Sequence, residues 1–172
     1  MKRSYYLLVL LLIGMIVVSC KKDGMSYQNS FEKSYDSWLN FKKSSGNSYR
    51  YMVTSGSWTG MSIETVITVK EGKVVQRSYV RKDIDRETHK PIITKTWSEV
   101  GDSLNTHPGG AASLTLDEIY DKAKTEWLIK RDNAHISFEA KNNGMISTCG
   151  YRDKNCVDDC FRGITIDYIE GR

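Results

Sequence analysis

Apolar residues recur every second position through much of this chain and every third or fourth position in two stretches, and that contrast predicts its elements. Asn29 followed by Glu32 reads as a capping box. Phe31, Tyr35, Trp38, Leu39 and Lys42 then recur at helical spacing, so a first amphipathic helix runs to about Lys43 and stops at Gly46 and Asn47. Tyr49, Tyr51 and Val53 alternate with Arg50, Met52 and Thr54, the pattern of a half-buried strand. Residues 63–70 and 73–80 continue as two strands joined at Glu71-Gly72, a two-residue hairpin turn. A fourth strand is expected over 92–97, after Pro91, and 101–112 reads as a loop. Thr115 and Glu118 form a second capping box, with Leu116, Ile119, Tyr120, Ala123 and Trp127 on one helix face. Ile136, Phe138 and Ala140 alternate into Asn143-Gly144. Residues 145–151 return as the partner strand, and 164–169 form the last one. Helix, four strands, helix, three strands with short links predicts an α+β fold: an antiparallel sheet of six to seven strands with two amphipathic helices packed on one face.

The first residues follow a different logic. Lys2 and Arg3 precede an apolar run of about a dozen residues, 7–18, the build of a secretory leader. A membrane-spanning helix needs about 20. Val17-Val18-Ser19-Cys20 resembles the lipobox of bacterial lipoproteins. The resemblance implies a diacylglycerol on the Cys20 sulfur, removal of residues 1–19, a lipidated cysteine and tether over 20–26, and one α+β domain over 27–172. Several acyl chains, each contributing about 0.8 kcal/mol per buried methylene, hold such a chain on a bilayer. Lipoproteins kept at the inner membrane commonly carry Asp directly after the cysteine. Lys21 and Lys22 precede Asp23 here, which favours the outer membrane, in its periplasmic leaflet or at the cell surface.

Charge narrows the partners. The chain carries 25 Lys and Arg against 21 Asp and Glu, a formal net charge of +4. Losing Lys2 and Arg3 with the leader brings that near +2, with both signs interspersed. This excludes a basic nucleic-acid stripe, and no nucleic-acid partner is expected. Removing 19 residues from 172 leaves 153, the size of one ordinary domain.

Chemistry-bearing residues are sparse. Beyond Cys20, the cysteines are Cys149, Cys156 and Cys160, an odd number in a compartment where disulfides persist. Cys149 with Cys160 is the favoured pair, because it closes a loop of about a dozen residues and stabilises by about 3 kcal/mol. Cys156 with Cys160 is the rival. Cysteine spacings of six and then three intervening residues match no common zinc pattern. Asp153, Asp158 and Asp159 are weak calcium candidates that lack the spacing of a calcium-binding loop. His89, His107 and His135 are scattered and read as separate surface residues. Ser103, His107 and Asp117 lie in no nucleophile elbow, so no catalytic residue is assigned.

Trp38, the Ser48-Tyr49-Arg50-Tyr51 strand, the hairpin through Glu71-Gly72-Lys73-Val74-Val75, the helix start at Thr115 and the Asp158-Asp159 pair together resemble a family of uncharacterised secreted and lipoprotein domains of bacteria. The likeness spans nearly all of residues 27–172. Glu71 stands where that pattern has Asp, and the cysteine-rich loop around the Asp pair is a further departure. The resemblance implies architecture and location and transfers no catalytic residue. The expected function is a membrane-anchored envelope lipoprotein, non-enzymatic and without a cofactor, that binds a protein, peptide or envelope polymer through an open sheet face or edge. The alternatives are a small cysteine-dependent hydrolase or redox protein, and a calcium-stabilised structural module.

Overall fold

Seven strands and two helices make up the computed structural model, which describes residues 24–158 and 160–172. The first helix, α1, spans Gln28–Ser44. Four strands come next: β1 (Tyr49–Gly56), β2 (Ser62–Lys70), β3 (Lys73–Ile84) and β4 (Pro91–Val100). The second helix, α2 (Leu116–Lys122), precedes β5 (Ala134–Glu139), β6 (Thr148–Asp153) and β7 (Arg162–Gly171). All neighbours in the sheet are antiparallel, in the order β4-β3-β2-β1-β7-β6-β5. The α+β class and the strand count agree with the sequence pattern. The first and last strands of the fold meet at its centre, where Tyr49 pairs with Gly171.

Local chemistry explains most boundaries. Glu71 and Gly72 both adopt positive φ, 50° and 78°, as the tight β2–β3 turn requires. Asp85 accepts bonds from the Glu87 and Thr88 amides and ends β3 four residues later than the alternation suggested. The second capping box forms as the sequence pattern requires: Thr115 Oγ1 accepts from Glu118 N at 3.3 Å, and Glu118 Oε2 accepts from Thr115 N at 2.7 Å. That helix does not stay α-helical to Trp127. Residues Ala123–Trp127 form a π-turn closed by Leu128 N to Ala123 O at 3.0 Å, which leaves Trp127 buried.

Three expectations need correction. The first helix begins at Gln28, with Tyr27 at φ 58° as its cap and no side-chain cap bond, so Asn29 and Glu32 form no capping box. Tyr27 is fixed instead by its contact with Phe138 and a 3.3 Å bond to Ile136 O. The buried face of α1 runs through Phe31, Ser34 and Trp38, while Tyr35 and Leu39 are exposed. Ser34 displaces an apolar residue because Tyr120 bonds both its hydroxyl (2.8 Å) and its carbonyl (2.9 Å). The sixth strand starts at Thr148 rather than Met145, since Met145, Ile146 and Ser147 are buried in succession and break the alternation.

Aromatic rings dominate the core. Trp38 meets Tyr49 edge-on at 5.3 Å and stacks on Tyr120 at 6.3 Å, joining α1, β1 and α2. The indole N–H donates to Asp117 at 3.0 Å. Residues assigned from sequence to a tether also join the domain: Ser26 N donates to Leu128 O and Lys130 N to Gly24 O, with Met25 bridging Ile129. Among the described residues no helix is long and apolar enough to cross a membrane. Replacing Trp38 by Ala is expected to cost about 3–5 kcal/mol, as for other buried Trp truncations. Leu39→Ala on the same helix is expected to stay within about 0.5 kcal/mol, as for an exposed site. Urea denaturation checks both, and equal losses contradict the assigned helix face.

Candidate functional site: a cleft walled by a strapped loop

Strand alternation places Arg77 and Glu99 opposite each other on β3 and β4, and both are buried. The Arg77 guanidinium meets the Glu99 carboxylate with two bonds, Nε to Oε2 at 2.9 Å and Nη2 to Oε1 at 3.2 Å. Neither group stops there. Arg77 donates to Ala111 O at 3.2 Å and His107 O at 2.9 Å, while Glu99 accepts from the Asn105 amide at 2.8 Å and from the His107 amide. Tyr79, Trp97 and His107 stack in a column at 4.8 and 5.0 Å, with the Arg77 guanidinium 4.7 Å from the Trp97 ring centre. Burial opposes charge on Glu99, but the His107 amide, Arg77 and the Asn105 amide outweigh it and hold the carboxyl at about 2.

These bonds strap residues 104–111 onto the sheet. The strap continues through Ala111 N to Thr65 Oγ1 at 3.0 Å, the Tyr51 hydroxyl to Leu114 O, and Leu116 N to the Tyr49 hydroxyl at 2.8 Å. Gly110 makes the close approach possible. Its φ is +74°, and a Cβ there would sit 3.0 Å from both Thr65 Oγ1 and Tyr79 Cδ2.

Beside the strap opens a cleft of about 1650 Å³. Val53, Ile63, Thr65 and Ile164 form its floor from β1, β2 and β7, and Ala111 and Leu114 of the strap form one wall. Lys122, Trp127 and Arg152 stand on another side, with Val157 and Phe161 from the cysteine loop. Trp58, in the β1–β2 turn, is 81% exposed, and Val157 is fully exposed. Lys122 is engaged by Glu126 at 3.1 Å. Arg152 has no side-chain partner among the described residues, so it is the cation available to an occupant.

The cysteine loop departs from the favoured pairing. Cys156 bonds to Cys160, with Cα atoms 6.3 Å apart, and Cys149 is free. Cys149 belongs to the core: it is buried on β6, paired in register with Phe138 and Ile164. Burial pushes its thiol up to about 12, the opposite of what a nucleophile needs. The bridge closes a short loop and contributes about 2 kcal/mol rather than about 3 in the chain-entropy picture.

Other sequence candidates stay apart. Ser103 bonds the backbone of Val100, His107 bonds Glu99, and Asp117 bonds Trp38 and Lys42, so the three form no relay. His135 is exposed on β5, and His89 sits in the β3–β4 turn at φ 55°. His107 is not merely a surface residue, since its ring stacks on Trp97 and its Nδ1 lies 3.1 Å from Glu99. Among the described residues no three His, Cys, Asp or Glu side chains converge on one point. Asp153 and Asp158 shape the cysteine loop through their carbonyls, which accept from the Cys156 and Cys160 amides at 3.1 and 2.6 Å. Cys20 and Asp159 lie outside the described residues. Comparison with known proteins matched no family model, no curated protein and no solved structure.

The depressed Glu99 carboxyl sets a pH dependence. Its folded value of about 2 lies below the ordinary 4.5, so its stabilisation is complete above about 4.5 and is lost as pH falls toward about 2. Urea midpoints of the wild type are therefore expected to fall more steeply through that window than those of Glu99→Gln. Parallel curves contradict the assignment.

Proposed function

We propose that this chain is a lipid-anchored envelope lipoprotein whose domain is a non-enzymatic binding module, and that the cleft beside the strap holds its ligand. The cleft is the observation that carries the reading. Its floor is mainly apolar, its rim exposes Trp58 and Val157, and Arg152 stands in its wall without a partner among the described residues. An exposed tryptophan at a concave apolar surface supplies a large contact area at low entropy cost, as recognition sites do. The complementary occupant is a peptide or envelope polymer with an apolar or aromatic surface and an anionic group. This moves the expected contact from an open sheet face or edge to the cleft.

The anchor rests on the sequence alone: a short apolar leader, the lipobox at Val17 to Cys20, and lysines directly after the cysteine. The outer membrane is the proposed location. The cysteine-dependent alternative has less support, because Cys149 is buried with a raised thiol and the other two described cysteines are bridged.

Anilinonaphthalene sulfonate, an aromatic body with one anionic group, is a direct probe. It is expected to bind the folded protein at one saturable site. Trp58→Ala is expected to weaken that binding roughly tenfold or more while leaving the melting temperature unchanged. Isothermal titration reads both affinity and stoichiometry, and unchanged binding in Trp58→Ala overturns the cleft as the site.

A further inference from the structure

The anchor and the fold together fix which side of the domain lies against the membrane. Gly24 is pinned, since its carbonyl accepts from Lys130 N at 2.5 Å, and Ser26 N donates to Leu128 O at 2.7 Å. Only Lys21, Lys22 and Asp23 separate it from Cys20. Four Cα steps reach at most about 14 Å. A lipidated Cys20 therefore cannot hold this domain on a long leash, and the surface around Gly24 sits within that distance of the bilayer.

That surface suits a lipid headgroup layer. Residues 129–132 and 153–154 carry three cations, Lys130, Arg131 and Lys154, against two carboxylates, Asp132 and Asp153. The two stretches are joined by Lys154 N to Asn133 O and by Lys154 Nζ to Asp132 O, both at 2.8 Å. Arg131 lies over the Tyr151 ring at 3.9 Å. Ile129, 41% exposed, stands beside Lys130 at the point where the chain leaves toward Cys20. Cations around an exposed aliphatic side chain match an anionic bilayer surface, whose negative potential attracts each of them.

We propose that the Gly24–Lys130 end of the domain, beside β5 and β6, docks on an anionic lipid surface, and that the β4 edge points away from it. The proposal rests on the lipid-anchor reading. β5 and β4 are the two edges of the sheet, six strand spacings apart, or about 29 Å. The orientation is therefore measurable.

The test uses the full chain, expressed in a diderm bacterium and reconstituted into vesicles of phosphatidylcholine with phosphatidylglycerol. Intact mass first reports acylation at Cys20. A nitroxide is then placed at Ile129→Cys or, separately, at Ile93→Cys on β4; Cys149 is buried and Cys156 and Cys160 are bridged, so the label falls on the new thiol. Relaxation by a nickel-chelating lipid is expected to be several-fold stronger at 129 than at 93. The difference is expected to shrink in Lys130→Glu with Lys154→Glu and in vesicles of phosphatidylcholine alone. An acylated chain with equal relaxation at both positions overturns the docking and leaves the anchor standing. A mass without acyl chains overturns the anchor, and the docking with it.

Discussion

The buried pair of Arg77 and Glu99 is the constraint on which the rest depends. Two charges taken out of water lose more hydration than their attraction returns unless their remaining hydrogen-bonding capacity is filled. Here it is filled by the chain beyond β4. The Asn105 and His107 amides satisfy the carboxylate, and the His107 and Ala111 carbonyls take up guanidinium N–H groups. Residues 104–111, which carry Gly109 and Gly110 and alone have little reason to adopt one conformation, are thereby fixed across the sheet.

The next stretch of chain inherits that placement. Once Ala111 is held by Thr65, Leu114 and Leu116 reach the hydroxyls of Tyr51 and Tyr49, and the capping box starts α2 at Thr115. Tyr120 then meets Ser34 and Trp38, which seats α1. The same strap forms one wall of the cleft, so core and candidate site share one origin.

The sequence made some of this legible and not the rest, for physical reasons. Alternation found β1 because it buries one face, with Tyr49, Tyr51 and Val53 buried as their period demanded, whereas β4 is exposed along most of its length. The Thr115 box was readable because its partners are three residues apart. Arg77 and Glu99 were not, because 22 residues separate them and a charged residue at an inward strand position reads as a solvated one until its partner is known. The favoured cysteine pair failed on the same ground: Cys149 lies on the inward period of β6, a stronger determinant than loop length. The inward Ser34 was hidden because its partner, Tyr120, lies 86 residues away. The cleft had no local signal at all, since its floor, walls and rim come from three separate stretches, 53–65, 110–127 and 152–165.

Native-state hydrogen exchange at the strap amides tests the central claim most directly. Asn105, His107 and Ala111 donate to side chains of β2 and β4 rather than to any backbone ladder. If the ion pair fixes the strap, these three amides exchange as slowly as the neighbouring amides of β3, through the same cooperative opening. Exchange at the rate of an open loop, with the sheet still protected, contradicts the account and leaves the cleft without its wall.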